Sequence, residues 1–378
     1  MAKEHHCPNC GFVTACNSAT SRIHVCPRCG HRWEEDLTKV LAAPGDAFEE
    51  AGEAVTEADR VYVTGMGTSL HAATVGRYLL EYALGPEADL RVASAFELAM
   101  RGKFSKADAV IVVSHRGWKR YAARVVELAK AGQATTIAVT GKAGGEAVRA
   151  ASTVLETSEQ ERSAAHTVSY TTAIAVLARI AVEAGRAAGR TAPAETLWKD
   201  VTATPKGVAG ILKKEGRFVA LAQDLAALEG IVLLGTGPDV ATAREGALKI
   251  VETSYIGVHA YELEQVLHGP LAGLKGSELV VHIANGATPA KRTAEAAAAI
   301  DAIGCRQLGV VQEGSPVDPD LFHWAFRTPK TVEPLAPLVN VVPLQLFSYY
   351  LAVQKGLDPD EARRSDAKFR DAKSHFAL

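Results

Sequence analysis

Five of the six cysteines fall within the first 29 residues, and four of them carry a spacing that can do chemistry. Cys7 and Cys10 form one C-x-x-C pair and Cys26 and Cys29 a second, with 15 residues between the pairs. Four thiolates so spaced can surround one tetrahedral Zn2+. Gly11 and Gly30, directly after the pairs, suit tight turns whose backbone N–H groups face the sulfurs. The reading is a structural zinc knuckle over residues 1–36, with a rubredoxin-like iron site as the rival and a redox dithiol third. Cys16 and the nearby His5, His6, His24 and His31 read as bystanders. Four Lys or Arg against four Asp or Glu in residues 1–36 leave no basic surplus. This favours packing or contact with a protein partner over nucleic-acid binding.

A second chemistry lies in glycine loops. Residues 60–67 and 230–237 each read as a buried strand ending in Gly-x-Gly and feeding a helix. Bare N–H groups and the positive end of a helix dipole converge at such a turn, which makes it an anion site. In the first copy Gly67 is followed by the hydroxyls of Thr68 and Ser69. In the second, Gly237 is followed by Pro238 and Asp239, whose carboxylate repels an anion. The first copy is therefore expected to hold the ligand's anionic group, and the plain alternative is that the glycines only turn the chain. Leu70 and Val240 occupy the third glycine position of G-x-G-x-x-G, and no Gly-Lys-Ser/Thr follows. Dinucleotides and ATP lose support, so no nucleotide or organic cofactor is expected.

Both loops belong to a longer repeat. Gly65 and Gly235 are 170 residues apart, Gly117 and Gly286 are 169 apart, and Gly185 and Gly356 are 171 apart. Short β-rich runs at 109–113, 136–140, 279–284 and 308–312 alternate with helical stretches at 70–84, 120–131 and 290–303. That alternation predicts an α/β fold with one parallel, helix-flanked sheet per half. The predicted domains are 1–36, 37–190 and 191–378. Single helices over 37–56 and 196–215 are expected to open the halves, with residues 185–193 as a linker or helix end. Ligands then belong at the C-terminal ends of the strands.

Lys249 and Glu252 are three residues apart, so a helix presents them on one face. Taken alone, such a pair is most often a solvated surface pair. The segment around them is more specific. Residues 244–256, followed by 260–271 with His268 before Gly269 and Pro270, together with the G-x-G-T-S loop and the duplication, resemble sugar isomerase (SIS) domains. The chain from about residue 37 is similar to the isomerase half of the glucosamine-6-phosphate synthase family, a tandem of two such domains. That family's glutaminase domain has no counterpart here, the knuckle standing in its place, so ammonia from glutamine is not expected within this chain.

The resemblance implies an enzyme that moves a carbonyl between C1 and C2 of a phosphosugar or amino sugar phosphate through an enediol. Such chemistry needs a base beside the carbonyl, a cation or acid near the enediol oxygen and a group to open the ring. By resemblance these are Glu252, Lys249 and His268, the last contributed across a homodimer. The family's C-terminal tail supplies an imine-forming lysine. Here residues 364–368 keep the Arg364 and Ala367-Lys368 spacing, which implies Lys368, with Lys373 as competitor.

Two loops depart from the family. Its second anion loop, Ser-Gln-Ser-Gly-Glu-Thr, reads Ser114-His115-Arg116-Gly117-Trp118-Lys119 here, placing two cations where the family has hydroxyls. In the loop 161–171 a sugar-facing serine becomes His166. Trp118 is expected to pack. An imine-forming aminotransferase or deglycase acting through Lys368 is the alternative enzyme, and a phosphosugar-sensing regulator is the alternative of another class.

Composition bounds all of this. Lys plus Arg number 41 and Asp plus Glu 43, a net charge of −2 across 378 residues, which argues against nucleic-acid binding by bulk charge. No run approaches the roughly 18 apolar residues of a membrane span. The N-terminus lacks an apolar leader, so a reducing cytoplasm and free thiols are expected.

Overall fold

The structure, a computed structural model, describes residues 3–6, 13–16, 33–161, 163 and 165–377. The expected zinc ligands Cys7, Cys10, Cys26 and Cys29 lie outside the described residues. Strands β1 (Lys3–His6) and β2 (Val13–Cys16) pair as a small sheet. The chain then runs α1 (Trp33–Leu41), α2 (Asp46–Glu57), β3 (Arg60–Gly65), α3 (Thr68–Leu84), β4 (Leu90–Ser94), α4 (Ala95–Arg101) and β5 (Asp108–Val113). Next come α5 (Arg120–Ala131), β6 (Thr135–Thr140), α6 (Glu146–Arg149), β7 (Thr153–Glu156), α7 (Val168–Ala187) and α8 (Thr191–Leu212). After α9 (Glu215–Asp224) follow β8 (Gly230–Gly235), α10 (Asp239–Ser254), β9 (Gly257–Glu262), α11 (Leu263–Leu267) and β10 (Leu279–Ala284). The chain closes with α12 (Ala290–Ile303), β11 (Arg306–Gln312), β12 (Trp324–Thr328), α13 (Ala336–Gln354) and α14 (Ala367–Ser374).

Two compact units result. The second holds Lys206–Ala362, and the first holds residues 33–205 together with residues 363–377 among those described. Each holds a five-stranded sheet that is parallel throughout, ordered β4-β3-β5-β6-β7 in the first unit and β9-β8-β10-β11-β12 in the second. The orders match strand for strand. Central strands β5 and β10 are buried along their whole length and apolar except for Asp108 and His282, because helices cover both faces. Strands β4 and β9 at the sheet edges are half-exposed and mixed in polarity, so the sequence pattern did not pick them out.

In both sheets the strand order reverses beside the strand that carries the Gly-x-Gly turn, β3 in one and β8 in the other. Adjacent loops part there and leave a crevice at the carboxyl ends. A tight turn builds each rim. A Cβ at Gly65 would lie 2.5 Å from the Ser69 carbonyl carbon, and one at Gly235 would lie 2.2 Å from the Asp239 oxygen. Only glycine lets the following helix start so close to the strand end.

Several sequence expectations are corrected. The single helix over 37–56 is two helices, α1 and α2, because Pro44 and Gly45 interrupt it. The helix read over 196–215 lies within α8 as far as Leu212, with α9 starting at Glu215, and residues 185–193, read as a linker or helix end, are the end of α7, a turn at Gly189 with φ +71 and the start of α8. Two helices, Val168–Ala187 and Glu333–Gln354, are long and apolar enough to cross a bilayer, contrary to the expectation. In each, 94% of its most apolar 18-residue stretch is buried inside the protein, and both are core helices. Arg179 of α7 donates to the Val40 carbonyl at 2.8 Å and lies 3.6 Å from the centre of the Phe48 ring, tying α7 to α1 and α2.

Helix α2 also meets α7 through Gly52, where a Cβ would stand 2.6 Å from the Glu183 Cβ and 2.7 Å from the Ala184 nitrogen. Alanine has a helix propensity about 1 kcal/mol better than glycine, yet overpacking costs about 1–3 kcal/mol. Gly52→Ala is therefore expected to lower the urea midpoint of unfolding, whereas a gain would show that propensity outweighs the contact.

Candidate active site

Helix α10 assembles the charged centre of the second unit. Glu245, Lys249 and Glu252 recur at i, i+4 and i+7, so one face carries all three. Lys249 is 1% exposed and its Nζ lies 2.5 Å from Glu252 Oε2 and 3.5 Å from Glu245 Oε1. A buried ammonium is tolerated only when paired, and here two carboxylates share it. Glu245 is fully buried, whereas the Glu252 side chain is 28% exposed and can meet a ligand. The sequence reading found Lys249 and Glu252 and missed Glu245, although its i−4 spacing from Lys249 carries the signal.

His268 follows α11. Its Nε2 lies 3.0 Å from Glu264 Oε1, and Arg292 grips the same carboxylate in a fork at 2.6 and 2.7 Å. That fork, then the His268 hydrogen bond, holds the Glu264 carboxyl down to about 2. The imidazole is exposed and makes no hydrogen bond or ion pair to Lys249 or Glu252 within the chain. Lys368 lies exposed on α14, where Asp366 caps its backbone N–H, and it forms no ion pair among the described residues. Lys373 lies on the same helix.

In the first unit, Gly67 adopts φ +56 and α3 begins at Thr68 without a side-chain cap. Across the crevice, β5 ends in the loop 114–119. The Gly117 N–H donates to the Ser114 carbonyl at 3.0 Å, closing a turn in which Gly117 takes φ +72. A Cβ there would sit 2.3 Å from the Gly145 nitrogen. The Ser114 hydroxyl is buried and has no hydrogen-bond partner. Trp118 corrects the packing expectation: it is 60% exposed, with the Arg116 guanidinium 5.6 Å from its ring centre. Lys119 precedes α5, and burial followed by the charge of Arg116 lowers its pKa.

His166 and His115 meet edge to face at 5.4 Å beside buried Glu161. Glu161 was not foreseen. Its oxygens accept the N–H groups of Thr167, Val168 and Ser169 at 2.9–3.2 Å, so it caps α7 from six to eight residues away, beyond any local capping pattern. Burial alone would raise its pKa, but the hydrogen bond and charge of His166 hold it well below the usual carboxylate range. Ligand atoms of His115, Glu161 and His166 lie within 4.8 Å of one another, a spacing compatible with one metal ion. They are already committed: His115 Nε2 accepts the Glu161 N–H at 3.3 Å, and the carboxylate is spent on the helix. This cluster anchors α7.

The matching crevice of the second unit is closed. Asn285 Nδ2 donates to Asp239 Oδ2 at 2.9 Å, Asn340 Nδ2 to the same oxygen at 3.0 Å, and Thr242 Oγ1 to Oδ1 at 2.7 Å. Thr236 and Thr288 pair across it at 3.1 Å. A carboxylate of the protein itself thus sits at the start of α10, and burial raises its pKa to about 6.

Residues 54–182 match the family model described as the SIS domain. The first unit carries an SIS domain. Beyond it, the chain is 29% identical over 321 residues to the isomerizing glutamine–fructose-6-phosphate aminotransferase of Clostridium tetani, covering 84% of this chain and 53% of that protein. It is 31% identical over 320 residues to the Pyrococcus horikoshii protein of the same name, covering 83% and 52%. The chain spans about half the length of these relatives. Among solved structures, the C-terminal domain of glucosamine-fructose-6-phosphate aminotransferase from Francisella tularensis superposes with TM-score 0.78 at 22% identity, over 87% of this chain and 95% of that one. Tagatose-6-phosphate ketose/aldose isomerase from Escherichia coli superposes with TM-score 0.70 at 20% identity, over 87% and 91%. These superpositions show a shared α/β fold.

The histidine in the SIS unit gives a pH dependence. Burial first lowers His115 from 6.5 to about 4. The unfolded chain binds this proton more tightly, so the associated stability is complete above pH 6.5 and is lost as pH falls through about 4. His282, buried and lowered likewise to about 4, adds the same sign in the second unit. His115→Gln is expected to flatten the fall in stability over that window. A native ring titrating near 6.5 by NMR would contradict the burial argument.

Proposed function

We propose that the protein is an aldose/ketose isomerase acting on a phosphosugar or amino sugar phosphate. The observation that carries this reading is the buried Lys249 ammonium held between Glu245 and Glu252, inside the α10 segment of the family resemblance. A module that only binds sugar has no use for a buried ammonium aligned with a partly exposed carboxylate. The similarity to isomerizing aminotransferases supports the same direction.

In the proposed reaction the open-chain sugar presents its carbonyl near Lys249. Glu252 removes the proton from the adjacent carbon, the electron pair moves into a C1–C2 double bond, and the carbonyl oxygen takes up the negative charge beside the Lys249 ammonium. Returning that proton to the other carbon, while the hydroxyl oxygen there gives up its own proton to become the new carbonyl and the first oxygen takes up a proton, completes the transfer with no change in atoms or overall oxidation state. His268, exposed and oriented by Glu264, would open the ring across a homodimer. Within the first unit, an anion site is read at Gly67, Thr68, Ser69, Ser114, Arg116, Gly117 and Lys119, with His115 and His166 in the same loops. The second unit is read as another SIS domain because its strand order repeats that of the first.

Lys368, exposed on α14, keeps an imine-forming aminotransferase or deglycase as the second reading. At the N-terminus we propose a structural Zn2+ on Cys7, Cys10, Cys26 and Cys29, whose four-thiolate donor set fits tetrahedral zinc, within a cytoplasmic enzyme whose knuckle offers a surface to a protein partner.

With hexose and aminohexose phosphates in D2O, the native protein is expected to incorporate deuterium at the carbon next to the carbonyl. Glu252→Gln should slow this by about 10²-fold or more while leaving ligand-induced thermal stabilisation nearly intact; unchanged exchange would sink the assignment. Replacing Cys7 and Cys26 by Ser should release about one equivalent of metal per chain, and an unchanged zinc content by elemental analysis would refute the knuckle.

A further inference from the structure

Arg116 and Lys119 are an unexplained expense. They lie three residues apart on the loop after β5, and among the described residues neither forms an ion pair. Lys119 is half-buried, and the charge of Arg116 acts on it in the same direction as burial, against its protonated form. The carboxylate of the adjoining loop, Glu161, is committed to the α7 backbone. At the base of this loop the Ser114 hydroxyl is 3% exposed and unpartnered. Two crowded cations and an unsatisfied buried hydroxyl share one need, an oxyanion carrying two charges.

We propose that Arg116 and Lys119 form a two-cation clamp that selects a doubly ionised phosphate monoester over a singly charged sulfate or sulfonate ester. This deepens the proposed function and rests on its placement of the substrate's anion in the SIS unit. Arginine offers a planar fork to two oxygens and lysine a mobile point charge, so together they neutralise a dianion. A monoanion leaves one half-buried cation uncompensated. Hydroxyls in these positions recognise the tetrahedral shape without weighing its charge.

The test uses the full chain and two probes of nearly equal size, methyl phosphate and methyl sulfate, titrated calorimetrically at pH 8. There the phosphate ester carries two charges, since its second pKa is about 6, and the sulfate ester one. Methyl phosphate is expected to bind about tenfold tighter or more. Arg116→Gln and Lys119→Gln should each weaken it about tenfold, the scale of a charged hydrogen bond, and change methyl sulfate much less. Lys119→Arg should restore the preference, which separates loss of charge from loss of folding. Equal affinities in the native protein, no binding of methyl phosphate, or a preference surviving in the double variant would each overturn the clamp. Failure of deuterium exchange would instead strike the isomerase reading, since anion selectivity needs no proton transfer.

Discussion

A parallel sheet that reverses its strand order must open a crevice at the reversal, and in this protein what fills that crevice governs everything else. Each unit reverses beside the strand that ends in Gly-x-Gly, so each exposes a helix start to the same gap. In the second unit the gap is filled from within. Asp239 gives its carboxylate to the crevice, and Asn285, Asn340 and Thr242 satisfy it. The SIS unit has hydroxyls at the equivalent helix start, Thr68 and Ser69, and beside them Ser114, whose buried oxygen lacks a partner.

With the second crevice occupied, the chemistry proposed for that unit falls to another face of α10. Lys249 is buried there with Glu245 and Glu252, and the pairing offsets its cost of desolvation. The three positions act together: removing Glu245 would take one of two carboxylates away from a buried charge. A fold that repeats has thus divided its labour, with an anion site proposed for one copy and a proton-transfer centre for the other.

Much of this was legible in the sequence. The strand runs at β3, β5, β6 and their counterparts are mostly apolar because both faces are covered, and the 170-residue repeat relates them pair by pair. Lys249 and Glu252 were visible by helical spacing. What escaped were features that depend on partners far along the chain. Glu161 caps a helix from beyond its first turn, and Asp239 is sealed by residues 46 and 101 positions away. Edge strands β4 and β9 carry mixed polarity because one side meets solvent. Trp118 was expected inside and stands outside, for no local pattern tells a stacking ring from a packing one.

The claim on which the rest stands is the asymmetry of the two crevices, and titration of the full chain with inorganic phosphate, followed by backbone amide NMR, tests it directly. The account predicts a single site per chain, with shifts concentrated at residues 67–69 and 114–119 and none at residues 236–239. Perturbation at the second crevice, or two equivalent sites, would contradict it.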